Sequence, residues 1–197
     1  MEDKRIQKTK RTLKQALASL LSRKSLESIT VTELCENAST SRITFYTHYD
    51  DKYALADDMV SDMVTTCVKD FESLESKTNP LQNPLKTAEN VLDAILNLFV
   101  HHQPLFTRVG KEESSYMFRQ LKEKLLSNVL KQAQKIGQSL PVRIDLKRIA
   151  AFICDGMWAF IAESRKQNLS IDTIRREGKE LLGRLLSPVL ILRPVRT

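Results

Sequence analysis

Residues 30–55 read TVTELCENASTSRITFYTHYDDKYAL. Thr30 stands three positions ahead of Glu33, the spacing of a capping box that opens a helix. Leu34 and Ala38 then supply an apolar face, with Val31 near its start. The run Ser39-Thr40-Ser41 breaks that helix, and Ser41 is a good N-cap for a third helix, RITFYTHY. Ile43 and Phe45 are expected to turn inward from it. Asp50 or Asp51 caps a long fourth helix running through about Ser76. Two short helices joined by a three-residue turn have the layout of a helix-turn-helix unit.

Working outward, residues 4–24 form a first helix. Ile6, Leu13, Leu17, Leu20 and Leu21 recur at three- and four-residue steps and mark one apolar face. Its first half carries Lys4, Arg5, Lys8, Lys10, Arg11 and Lys14. The polar segment SKTNPLQNP at 76–84 is a loop. Beyond it, a fifth helix covers about 85–102 and a short sixth starts at Pro104. A seventh follows from about Glu112 to Gly137, an eighth over about 145–167 and a ninth over about 171–187. Nothing reads as a strand. The expected fold class is all-α, with about nine helices.

The whole-chain numbers agree. Five glycines and six prolines in 197 residues leave little punctuation, which favours long helices. No apolar run approaches the length of a membrane span, and the charged N-terminus lacks the apolar core of a signal peptide. Cys35, Cys67 and Cys154 are far apart and odd in number, which fits reduced thiols in a cytoplasm. The net charge is +7. Residues 1–49 hold nine Lys/Arg against five Asp/Glu, whereas residues 50–80 hold three against eight. A basic segment followed by an acidic one suits a polyanion partner at the first. An enzyme is not expected, because the chain has no Gly-rich phosphate loop, no G-x-S-x-G and no HExxH. Neither a metal nor another cofactor is implied: His101 and His102 are adjacent and diverge by about 100° on a helix.

The stretch 30–55 resembles the DNA-binding signature of the TetR family of transcriptional regulators. The likeness lies in Thr30-Val31, in the T-x-Y-x-H-Y of Thr44 to Tyr49, and in the acidic pair, Lys52 and Ala54-Leu55 after it. It covers about 50 residues. The C-terminal 120 residues look like the variable regulatory half of such proteins, nearest the DhaS-like subgroup. The resemblance implies a helix-turn-helix DNA-binding domain at 1–50 and a helical ligand-binding and dimerisation domain at 51–197. Two departures stand out: Ser39-Thr40 occupy the turn where the family usually has glycine and an apolar residue, and Thr32 stands where many members are basic.

In such a unit the second helix enters the major groove. Arg42 would be the first long side chain to face it, suited to guanine O6 and N7. Thr44 offers a hydroxyl or a methyl. The resemblance turns Tyr46 and His48 to the sugar-phosphate edge. Lys52, Thr30 and Ser41 are further candidates for phosphate, and the basic residues at 4–14 could form an arm. Phe45 and Tyr49 belong to the core. The resemblance also implies an effector pocket, for which Met63, Phe99, Phe106, Tyr116, Met117, Phe152 and Trp158 are candidates. It implies a homodimer through helices eight and nine, for which Ile153, Gly156, Phe160, Ile174, Leu181 and Leu185 are candidates. The expected function is a cytoplasmic, homodimeric regulator that binds a palindromic operator in double-stranded DNA. It would be a repressor released by a small-molecule effector, with no membrane partner. The alternatives are an activator of the same fold, or a ligand-sensing or scaffolding protein without DNA binding.

Overall fold

The computed structural model describes residues 4–103, 105–106, 116–137 and 146–190, the side chains of 132–137, 146 and 187–190 apart. Among the described residues there are eight α-helices and no strand. They are α1 (Lys4–Leu21), α2 (Val31–Asn37), α3 (Arg42–His48), α4 (Lys52–Thr78), α5 (Pro84–His101), α6 (Tyr116–Gly137), α7 (Leu146–Lys166) and α8 (Ile171–Leu190). One 3-10 turn, Leu26–Ser28, lies between α1 and α2. The short helix expected from Pro104 falls mostly outside the described residues.

The chain divides into two compact units, one of Met1–Val64 with His102–Lys122, the other of Thr65–His101 with Glu123–Thr197. The boundary expected at residue 50 falls inside the first unit, because the start of α4 contributes Leu55, Ala56, Met59, Val60 and Met63 to its buried residues. In that unit α1 packs on α2, and α2 on α3. Leu13, Leu17, Leu34, Phe45 and Leu55 are fully shielded from water. Each such side chain contributes about 1.5–3 kcal/mol through burial.

A polar cluster fixes the helices of this unit. Lys14 Nζ of α1 lies 3.0 Å from Asp58 Oδ2 and 2.5 Å from Asp62 Oδ2, both on α4. The Tyr49 hydroxyl, just past α3, donates to Asp58 Oδ2 at 2.7 Å. Burial disfavours charge on both Asp58 and Lys14, yet the hydrogen bonds outweigh it. Asp58 is held below the ordinary carboxylate range and Lys14 above the ordinary amine.

In the second unit α8 lies along α5, and α7 packs on α8. Ile174, Gly178 and Leu182 are spaced four apart on α8 and all turn inward. At Gly178 the helices approach so closely that an added Cβ would stand 2.7 Å from Leu92 Cδ2. Beside that contact, Asp93 of α5 is buried. It receives Arg175 Nη1 and Lys179 Nζ, each at 2.7 Å. The α4–α5 corner is pinned by the Glu75 carboxylate, which accepts from Asn79 (3.0 Å), Asn90 (2.7 Å) and Thr87 (2.5 Å). Asn168 ends α7 with φ 58°. Leu169 N–H then donates to Ser164 C=O at 3.1 Å, and Asn168 N–H to Arg165 C=O at 3.0 Å, a Schellman closure.

Asp93→Ala should lower stability by about 2 kcal/mol, read as a lower urea midpoint at unchanged slope. The figure is below that for a fully buried pair because Arg175 and Lys179 keep 29% and 30% of their side-chain exposure and can be rehydrated.

Candidate nucleic-acid interface

The helix pair α2–α3 is defined by its caps. Thr30 Oγ1 accepts from the Glu33 N–H at 3.2 Å, and the Thr30 N–H donates to Glu33 Oε2 at 2.9 Å. The capping box read from the sequence is therefore closed in both directions. Glu33 also pairs with Lys24. The Lys24 ammonium first, then the Thr30 N–H and hydroxyl, hold the Glu33 carboxyl down at about 2. The Thr30 hydroxyl proton goes to Glu33 Oε2 at 2.9 Å, so in this structure the hydroxyl is engaged in the cap on both its donor and its acceptor side.

The turn that follows carries the main departure from the expected pattern. Ser39 has φ 49°, the left-handed conformation. Around it, Thr40 N–H donates to Cys35 C=O at 2.9 Å and Ser39 N–H to Glu36 C=O at 3.1 Å. That is again a Schellman closure, with serine where glycine would enter without a steric penalty. The structure accommodates serine by satisfying both amides, against a conformational cost of about 1–2 kcal/mol. Ser41 then caps α3, its hydroxyl accepting from the Thr44 N–H at 3.0 Å.

On α3, Phe45 is fully buried and Tyr49 nearly so; they define the inward side. Ile43 does not join them: it is 82% exposed. The reason is helical geometry, since residues two apart point about 200° apart, so Ile43 and Phe45 cannot both face the core. The outward stripe consists of Arg42, Ile43, Tyr46 and Thr47. Tyr46 is 48% exposed, and the Arg42 guanidinium carbon lies 6.0 Å from its ring centroid. A guanidinium at that distance from a ring face is attracted to it by the ring's electrons. Thr44 and His48 flank the stripe, half-buried. The Thr44 hydroxyl pairs with that of Ser41 at 2.9 Å, and Thr47 Oγ1 donates to Ile43 C=O at 2.9 Å. Sequence reasoning missed Ile43 and Thr47. The two-residue offset from Phe45 and Tyr49 was the signal that placed them outside.

Lys52 and Lys14 have partners within the fold that the sequence reading did not foresee, and one of the two expected caps of α4 is in place. Lys52 Nζ donates to Glu27 C=O at 2.6 Å and Ile29 C=O at 2.8 Å. It closes the carbonyl ends of the 3-10 turn before α2, and two of its three protons are committed there. Asp51, not Asp50, caps α4, accepting from the Ala54 N–H at 2.8 Å. The basic segment envisaged as an arm is already helical from Lys4, and Lys14 is bound to Asp58 and Asp62.

The effector-pocket candidates divide between the two units. Met63 and Phe106 are buried in the first, with Tyr116 and Met117 half-buried there. In the second, Phe99 and Trp158 are buried with ring centroids 5.4 Å apart. Phe152 is 76% exposed on the outer side of α7, because Ala150, Cys154, Met157 and Ile161 take its inner side; it is not a pocket wall. Tyr116 borders a cleft of about 390 Å³ with Glu27, Tyr53 and Arg119. Its hydroxyl donates to both Asp57 carboxylate oxygens, at 2.9 and 3.0 Å. Burial and the Asp57 charge push this phenol above its ordinary value. Among the dimer candidates, Gly156, Leu181 and Leu185 are exposed, and Ile153 and Phe160 are half-buried. Ile174 is fully buried within its own chain and is not presented to a partner, since it shares the inner side of α8 with Gly178 and Leu182.

The Ser39 turn gives a direct test. Ser39→Gly relieves the left-handed strain but frees the unfolded chain by about 0.4–1 kcal/mol, so its unfolding free energy, read by urea titration, should fall within about 1 kcal/mol of the parent's. Ser39→Val places a β-branched residue at positive φ and should cost about 2 kcal/mol.

No protein-family model matches the chain. One curated relative, the uncharacterized HTH-type transcriptional regulator YxbF of Bacillus subtilis, is 37% identical over 51 residues. That match spans 26% of this chain and only 13% of the relative. Solved structures are similar along nearly the whole chain. One is assigned to the TetR family and comes from Syntrophomonas wolfei, with TM-score 0.78 and 11% identity over 95% of this chain and 99% of that one. The fatty acid degradation regulator FadR from Bacillus halodurans matches at TM-score 0.68 and 10% identity, over 92% and 96% of the two chains. A TetR-family transcriptional regulator from Pectobacterium atrosepticum matches at TM-score 0.63 and 16% identity, over 98% and 100%. The chain has the fold of the TetR-family transcriptional regulators.

Proposed function

We propose that the chain is a sequence-specific DNA-binding transcriptional regulator that acts as a homodimer. The observation that carries this reading is the outward stripe of α3, where Arg42, Ile43, Tyr46 and Thr47 stand exposed on a helix whose opposite side is anchored by Phe45 and Tyr49. An exposed arginine on a helix anchored from behind donates in the pattern that the O6 and N7 acceptors of a guanine present in the major groove. The stacked Arg42–Tyr46 pair loses less side-chain freedom on binding than a free arginine would. Lys10, Arg11, Arg5 and Lys8 on α1 add positive charge to the same segment of chain, and such charge supplies sequence-independent attraction to phosphate.

Dimerisation is supported by the outer sides of α7 and α8. Phe152, Gly156 and Ala159 lie on one, and Leu181 and Leu185 on the other, all exposed. A water-facing Phe152 gains about 2 kcal/mol if a second copy covers it. Two copies would then present two α3 helices to a palindrome, with half-sites about one helical turn apart. On this reading the regulatory step is a repressor's release by an effector bound in the C-terminal half; structures of the same fold include a fatty acid degradation regulator.

Selection from a randomised duplex library, at two salt concentrations, tests the reading. The parent should enrich a palindrome, with affinity falling steeply as salt rises. Arg42→Ala should relax one base position in each half-site, at a loss of about 1–3 kcal/mol. Enrichment of no sequence, with weak binding that vanishes in salt, would remove the function while leaving the fold intact.

A further inference from the structure

Ile43 presents a branched aliphatic side chain to water at 82% exposure, on the first turn of α3. Its neighbours on the stripe are a cation, a phenol and a hydroxyl: Arg42, Tyr46 and Thr47. None of them covers it. Its own backbone is ordinary helix, and its carbonyl accepts from Thr47 Oγ1 at 2.9 Å, so nothing in the local fold needs an isoleucine here. Alanine would favour the helix more.

The major-groove edge of DNA offers one apolar group, the C5-methyl of thymine. A helix that places a guanidinium and an adjacent branched aliphatic outward can read guanine with the first and that methyl with the second. We propose that Ile43 is a specificity-determining residue that packs against a thymine C5-methyl at one position of each half-site, beside the base pair read by Arg42. This rests on the regulator reading above and adds to it the identity of a base. Two copies of the chain would place the same contact symmetrically in the two half-sites.

The substitution thymine→deoxyuridine removes only the methyl, leaving every hydrogen-bonding group in place. The test scans the enriched site with single thymine→deoxyuridine changes, against the parent, Ile43→Ala and Ile43→Val. Because Ile43 is exposed, neither variant should alter folding, which circular dichroism checks. At one thymine per half-site the parent should lose about fourfold in affinity, the value of burying one methyl group. Ile43→Ala should show no loss there while keeping the response to the Arg42 position, and Ile43→Val should retain most of it. That coupling between one side chain and one methyl group supports the proposal. If the parent enriches a site but no thymine shows a loss that Ile43→Ala abolishes, the proposal is overturned and the regulator reading stands. If the parent enriches no site at all, both fall together.

Discussion

The carboxylate of Asp58 is the point on which the head of this molecule depends. It accepts the Tyr49 hydroxyl and pairs with Lys14, so the end of α3, the middle of α1 and the first turns of α4 share one anion. Partial burial makes that charge expensive unless each partner is in place. Asp62 supplies a second oxygen to Lys14, which keeps the pair from being a single weak surface bridge. The orientation of α3, and with it the direction of its exposed stripe, follows from this cluster together with the burial of Phe45.

Several polar groups near α3 are consumed in building the unit. Lys52 bonds the carbonyls of Glu27 and Ile29, Thr30 closes the capping box with Glu33, and Lys14 serves Asp58. The side chains left on the outward stripe are few, and they differ chemically: a cation, a phenol, a hydroxyl and an aliphatic group. A short helix can discriminate among base pairs with that range, because each group matches a different edge pattern. On the proposed DNA-binding reading, the basic charge of α1 would add attraction without adding discrimination.

Much of the fold was legible in the sequence. Thr30 with Glu33, Ser41, and the acidic pair before Lys52 located three helix starts, since N-cap chemistry is local. Long helices with regular apolar spacing, such as α5 and α8, were also readable. The face of α3 was not: two turns hold too few residues for periodicity to choose a side, and Ile43 was placed inward on hydrophobicity alone. Lys52 could not be read either, because its carbonyl partners lie 23 and 25 residues earlier in the chain. The expectation that Ile174 faces a partner rests on the resemblance of the last two helices to a dimer pair; the close approach at Gly178 shows which side of α8 the chain itself covers. Phe152 is a pocket candidate only through the resemblance, and its exposure turns it away from the inner side of α7. The serine at Ser39 was legible as a departure, and the Schellman hydrogen bonds explain how it is tolerated.

The most direct measurement is chemical protection of an enriched duplex by the bound protein, using dimethyl sulfate. This reagent methylates guanine N7 in the major groove and adenine N3 in the minor groove. If α3 is the reading helix, guanine N7 should be protected in two half-sites about 10 base pairs apart, and Arg42→Ala should restore methylation at one guanine in each. Protection confined to adenine N3, or unaffected by Arg42→Ala, would contradict a groove-reading α3.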